Sequence, residues 1–201
     1  IAHDLEKQFQ DQEDVKKDIE LLSSQVERCN EILKRLTLNP VEEDEFIDKD
    51  LTMRDYLSEI ILSFKEISKK KFIFNFDQFS NVKKITKSIE IVYGLRNFIG
   101  NANKFSKNSI YINLKSDSEF TEITIEDDGN GYPKDVLSKI GEPYLRSNNP
   151  IEKSKTGLGL GLFIGKTLLE KNFASINCRN SKTRTGAEVI IKWNNKDLFN
   201  I

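Results

Sequence analysis

The sequence predicts an α+β chain, a helical hairpin followed by an α/β sandwich, and three observations lead there. Val15, Ile19, Leu22, Val26, Cys29, Leu33 and Leu36 recur at spacings of 4, 3, 4, 3, 4 and 3, the a/d seam of a coiled coil or helical bundle. From Leu51 onward, stretches of helical period alternate with short β-rich runs, so strands and helices share one core. A Gly-rich run, Gly157-Leu158-Gly159-Leu160-Gly161, leads into a further helical pattern.

Residues 1–40 form the expected hairpin. Ile1, Leu5 and Phe9 continue an earlier helix, a turn falls near Gln10 to Glu13, and the seam helix follows. Two antiparallel helices leave an apolar stripe open, and a four-helix bundle in a homodimer closes it. Asn39-Pro40 ends the second helix, because the residue before proline avoids the helical region. The acidic stretch at 41–50 reads as a linker, and a second domain covers 51–201. Thr52 is the expected N-cap of a helix from Met53 to about Lys69. Phe72 to Phe76 reads as a strand, and a long helix runs from about Thr86 to Phe105. Strands follow at Ile110–Leu114 and Phe120–Glu126. Pro133 opens a short helix to about Ile140, and Gly141 to Thr156 is a long loop. A helix from Gly159 to Lys171 and strands at Ser175–Arg179 and Glu188–Trp193 complete the order.

Bulk properties narrow the function. The 31 Lys and Arg nearly balance the 32 Asp and Glu, so there is no global basic field for nucleic acid. Apolar runs such as Ile60-Ile61-Leu62 are far too short to span a bilayer. The two cysteines, Cys29 and Cys178, make neither a disulfide framework nor a Cys-x-x-Cys metal pair. The chain begins with Ile rather than Met, so a longer protein with membrane segments upstream is expected.

Three separated segments carry chemistry. On the long helix, Asn97, Asn101 and Lys104 sit at i, i+4 and i+7 and share one face. Ile91, Leu95, Phe98, Ile99 and Ala102 fall on the opposite face and would pack on a sheet. Two amides and an ammonium suit a metal-bound polyphosphate: Mg²⁺ takes one or two hard oxygens from protein and the rest from water and phosphate. Taken alone, the segment fits a plain solvated helix face better, since short polar patterns recur by chance. Asp127-Asp128-Gly129-Asn130-Gly131 follows a strand directly. An ionised carboxylate there accepts from the exocyclic amino group of adenine and rejects guanine, while Gly129 and Gly131 let backbone approach the ring. Taken alone, the segment is a hairpin turn. The Gly157–Gly161 run offers backbone N–H groups at a helix start, an anion site. Its Gly-x-Gly-x-Gly spacing is not the dinucleotide Gly-x-Gly-x-x-Gly. Gly161 to Gly165-Lys166-Thr167 is one residue short of a Walker A loop.

In this order the three segments resemble the N, G1 and G2 boxes of the histidine-kinase ATP-binding domain, a Bergerat-type fold. The resemblance implies ATP and Mg²⁺ as cofactors. It implies that Asn101 holds the metal, with Asn97 and Lys104 at the catalytic positions and Lys104 on phosphate. Asp127 would bind adenine beside Gly129 and Gly131. Thr156, Gly157, Leu158, Gly159, Leu160, Gly161 and Leu162 would line the phosphates. Glu142-Pro143-Tyr144-Leu145-Arg146 looks like the lid's F box, bringing in Tyr144 and Arg146. Thr185-Gly186-Ala187 resembles the turn at the lid base and adds Thr185. With Ser24-Gln25-Val26-Glu27-Arg28-Cys29, the chain is most similar to the RegB/PrrB redox-sensing kinases, in which the cysteine at the Cys29 position is a redox switch. The family implies a homodimer, a response-regulator receiver domain as partner and a cytoplasmic place beneath an inner-membrane anchor. His3, the only histidine, lacks the Thr-Pro-Leu that follows the family's phospho-acceptor. The acceptor is therefore expected upstream of Ile1.

Overall fold

The computed structural model describes residues 51–77, 84–85, 88–145 and 159–198. The chain divides into two units, Ile1–Asp48 and Lys49–Ile201, and the described residues all belong to the second. The heptad seam, Cys29 and His3 lie outside them. So do Arg146, Thr156, Gly157 and Leu158.

The unit opens with β1 (Leu51–Thr52) and α1 (Met53–Ile67). Thr52 caps α1 as the sequence predicts: its Oγ1 accepts from Asp55 N at 3.2 Å, and the Asp55 carboxylate accepts from Thr52 N at 3.0 Å, a reciprocal capping box. The helix ends at Ile67, two residues early, because Ser68 is extended (φ −114°, ψ 137°). β2 (Lys71–Phe76) follows, then β3 (Lys84–Ile85) and α2 (Ile89–Phe105). Ser88 caps α2 by accepting from Ile91 N at 3.3 Å. The hairpin β4 (Ser109–Ser116) and β5 (Phe120–Asp127) leads to α3 (Lys134–Leu137). After the loop come α4 (Gly161–Lys171), β6 (Ser175–Asn180), β7 (Ala187–Asn194) and α5 (Asn195–Leu198). The sequence did not reveal β1, β3 or α5, which have two, two and four residues. Such pieces are too short to show a period.

The main sheet has the order β2-β4-β5-β7-β6, with β2 parallel to β4 and every other pair antiparallel. β1 and β3 make a separate antiparallel pair. Period-2 alternation sends Ile110, Ile112 and Leu114, Ile123 and Ile125, and Val189, Ile191 and Trp193 to one face, where all are buried. There they meet Ile91, Leu95, Phe98, Ile99 and Ala102, the α2 face expected to pack on a sheet, in one apolar core. Trp193, fully buried, donates its indole N–H to Asn172 O at 3.0 Å. The architecture is thus an α+β layer of helices over a mixed sheet.

Helices α2 and α4 cross at van der Waals distance through two glycines. A Cβ at Gly94 would lie 2.5 Å from Leu169 Cγ, and one at Gly165 would lie 3.0 Å from the Phe98 ring. This crossing brings the amide face of α2 alongside the start of α4.

Candidate nucleotide site

Asp127 is the last inward-facing position of β5. It shares its face with Ile123 and Ile125 and pairs with Ile110 across the sheet. The carboxyl therefore enters the core side at the sheet's end and is 4% exposed. Its Oδ1 accepts from Gly129 N at 2.7 Å and from Ala187 N at 3.3 Å. Burial raises its pKa from the ordinary aspartate value, and the two N–H donors only partly offset this. Gly186 lies directly behind it: a Cβ there would fall 1.9 Å from Asp127 O and 2.3 Å from its Oδ1. Gly129 touches the end of α2, where a Cβ would lie 2.4 Å from Phe105 O. Gly131, at φ +76°, packs on Asn180, whose side chain accepts from Tyr132 N at 2.6 Å and donates to Tyr132 O at 3.1 Å.

Tyr132 and Cys178 both pack against the core. Burial pushes the Tyr132 phenol up, and it pushes the Cys178 thiol up to about 11. On the opposite sheet face, Arg184 donates to Glu126 Oε2 at 2.8 Å and stacks 3.8 Å over Tyr111. Ser181 and Thr183 also donate to Glu126. This network holds the Ser181–Gly186 turn against the strand that carries Asp127.

On α2, Asn97 and Asn101 are half-buried and Lys104 is exposed. Asn97 donates its Nδ2–H to Tyr93 O at 2.9 Å. Its Oδ1 lies toward the start of α4, 3.5 Å from where a Gly161 Cβ would stand. Lys104 Nζ is 5.7 Å from the Phe105 ring centroid. Gly159, at φ +71°, sits on the backbone of Tyr144 and Leu145, and Leu145 N donates to its carbonyl at 3.1 Å. Only glycine adopts this conformation without strain, and a Cβ there would also meet Leu145 O at 2.3 Å. Tyr144 is 56% exposed at φ +61°. Leu160 precedes the first turn of α4, and Leu162 packs on the core. Thr185 is exposed beside Gly186.

Asn97 and Gly161 therefore adjoin, as do Gly159 and Tyr144, and Asp127, Gly129 and the Thr185–Ala187 turn. Sequence reasoning gave Gly186 only as part of the Thr185–Ala187 turn and Asp128 only as part of the Asp127–Gly131 run, and it did not single out Asn180.

With this geometry in view, residues 86–197 match the histidine kinase-, DNA gyrase B- and HSP90-like ATPase family. The chain belongs to this family. As a member, it is 30% identical to the sensor histidine kinase RegB of Cereibacter sphaeroides, over 96% of this chain and 45% of that protein. A putative NtrY-like sensor histidine kinase of Rickettsia bellii is 28% identical over 62% of this chain. The chain spans about half the length of its RegB relatives. Among solved structures, the mycobacterial sensor histidine kinase MprB superposes with a TM-score of 0.61 at 19% identity, covering 72% of this chain and 96% of that one. Full-length ShkA, solved in complex with AMPPNP, gives 0.62 at 18%, covering 89% and 37%. These likenesses establish the ATPase-family fold.

The residues present fit the expected groups. The glycines around Asp127 let backbone pack on its carboxyl closer than any Cβ would allow: one at Gly129 would lie 2.7 Å from its Oδ1 and one at Gly186 2.3 Å. Among the described residues no cluster of His, Cys, Asp and Glu could cage a metal. Asn101 is half-buried on the face of α2 that also carries Asn97 and Lys104.

Proposed function

We propose that the chain is the ATP-binding catalytic part of a sensor histidine kinase, together with its dimerisation helices. The observation that carries this reading is the buried Asp127, with Oδ1 engaged and Oδ2 left for an adenine amino group. Asn101 would hold Mg²⁺, and the bound ion neutralises charge on the phosphates. Lys104 adds a cation on the same helix face, and the Gly157–Gly161 run would line the phosphate chain. Asn97 sits where a hydrolytic ATPase of the family would need a base. A carboxamide cannot take a proton, and Glu90, the acidic residue of that helix, is bonded to Lys171 at 3.3 Å. Such a site favours transfer over hydrolysis, acting by positioning and charge stabilisation. The bond from the γ-phosphorus to the bridging oxygen breaks, a P–N bond forms to an imidazole, and ADP leaves. The phosphoryl group then passes to an Asp on a response regulator.

The same reading places dimerisation helices at 1–40, a linker at 41–50 and the catalytic domain at 51–201. It places the whole in a membrane-anchored protein; among the described residues no helix is long and apolar enough to cross a membrane. The test is transfer of γ-labelled phosphate, with Mg²⁺, to a RegB-type helical hairpin carrying its histidine, supplied in trans. Acid-labile, alkali-stable label on the hairpin is expected. Release of inorganic phosphate without labelled protein would make the chain a hydrolase instead. Sedimentation of the chain should show a dimer; a monomer at high concentration contradicts the bundle.

Redox response, by this reading, belongs to Cys29 and not to Cys178. With its pKa at about 11, the Cys178 thiol is almost wholly protonated at neutral pH, and only thiolate reacts. Maleimide labelling mapped by mass spectrometry should leave Cys178 at least about tenfold slower in the folded chain than in urea, with its rate rising toward high pH. Equal rates would place Cys178 at the surface. Mild oxidation should modify Cys29 and spare Cys178, and the reverse result would reassign the switch.

A further inference from the structure

The carboxylate of Asp128 is turned away from Asp127 and onto the connection after α2. Its Oδ1 accepts from Lys107 N at 2.7 Å and Asn108 N at 2.9 Å. Its Oδ2 accepts from Asn108 N at 3.0 Å and Ser109 N at 3.0 Å. Asp128 N donates in turn to Ser109 O at 3.3 Å. Three successive backbone N–H groups thus converge on one side chain, 19 to 21 residues away in sequence. A carboxylate behind a helix C-terminus opposes the helix dipole. Here Lys70 offsets that charge by donating Nζ–H to Asn103 O, and to Ser106 O at 2.6 Å, at the end of α2. The joint is therefore specific and charge-assisted, the stronger kind of hydrogen bond.

What it joins matters, on the nucleotide reading proposed above. On one side, the adjacent residue is Asp127, the base acceptor. On the other, Lys107 lies three residues after Lys104 and six after Asn101, at the end of the helix that faces metal and phosphate. We infer that Asp128 is a positioning residue, fixing the span between the base-recognising carboxylate of Asp127 and the phosphate-facing side chains of α2. Asp127 has anchors of its own in Gly129 N, Ala187 N and the Gly186 backbone behind it. Loss of the Asp128 joint leaves the base acceptor in place and frees the end of α2 to shift. A ligand that uses only the base site is indifferent to that shift. A ligand that spans both sites is not.

The experiment is calorimetric titration of the 201-residue chain and its Asp128→Asn variant with adenosine and with ATP plus Mg²⁺. An amide cannot accept from three N–H groups through both of its terminal atoms. In the variant, ATP·Mg²⁺ affinity should fall about tenfold or more, while adenosine affinity stays within about twofold. Unchanged ATP·Mg²⁺ affinity overturns the inference, and so does an equal loss for both ligands. If the parent itself binds ATP·Mg²⁺ no tighter than adenosine, the nucleotide reading fails first and carries the inference with it. Should the variant not fold, amide exchange on the parent decides. ATP·Mg²⁺, and not adenosine, should slow exchange at Lys107, Asn108 and Ser109. Equal protection by both ligands, or none by either, rules the joint out.

Discussion

Gly186→Ala is expected to weaken ATP binding by a hundredfold or more and to lower Tm. The added methyl carbon would stand 1.9 Å from Asp127 O, 2.4 Å from its carbonyl carbon and 2.3 Å from its Oδ1. Two of these are backbone atoms of a central strand, paired on both sides by β4 and β7, so no flexible side chain can give way. The Ser181–Gly186 turn must therefore lift away from the strand, which breaks the Ala187 N–H bond to Oδ1. Overpacking of this kind costs about 1–3 kcal/mol or more, which for a unit of this size is about 2–12 °C in Tm. Because the strained residue carries the base acceptor, affinity should fall further than stability does. Thermal melts of the ligand-free variant beside ATP titrations at a temperature where it remains folded make the comparison. A variant that melts lower yet binds ATP like the parent would show that Asp127 is not the acceptor.

Asp127→Asn tests the acceptor directly, with almost no change of shape. The amide oxygen would keep the bonds from Gly129 N and Ala187 N, which places the new NH₂ where Oδ2 faces the ligand. Donor then meets donor at the adenine amino group. The loss should be about 1–3 kcal/mol, the cost of an unpaired buried polar group, with discrimination between ATP and GTP reduced. Equal ATP and GTP affinities in the parent would sink the assignment. A pH dependence follows from the same geometry. The Asp127 pKa is raised, chiefly by burial, so protonation stabilises the ligand-free fold as pH falls through that pKa. The proton goes to Oδ2, since Oδ1 is engaged, and turns the acceptor into a donor. Adenosine affinity should therefore decline as pH falls through the raised Asp127 pKa, above where an ordinary aspartate titrates, while Asp127→Asn stays flat. Adenosine is the probe because it carries no titrating phosphates.

The elements that the sequence revealed are those whose signal is local. Ser88 and Thr52 cap their helices through neighbours three residues away, and the apolar positions of α2 and β5 announce their faces by period alone. The boxes around Asn97, Asp127 and Gly159 were legible because each is a contiguous run. The two-residue strands β1 and β3 were not. Leu51 pairs with Ile85 across 34 residues, and neither segment carries enough residues to show an alternation.

By itself, then, the sequence determined the α+β class, the order of long elements and which residue types could meet a nucleotide. Those depend on periodicity, capping and motif spacing, all of which act within a few residues. Only the tertiary structure decided how Asp127 is held. Ala187 reaches it across 60 residues, Gly186 backs it from the same turn, and Arg184 braces that turn from the far side of the sheet. It also decided that Asp128 faces α2 while its neighbour faces the core. In a strand that has just ended, alternation no longer dictates direction, and the free N–H groups of Lys107, Asn108 and Ser109 supply the stronger claim on the carboxylate.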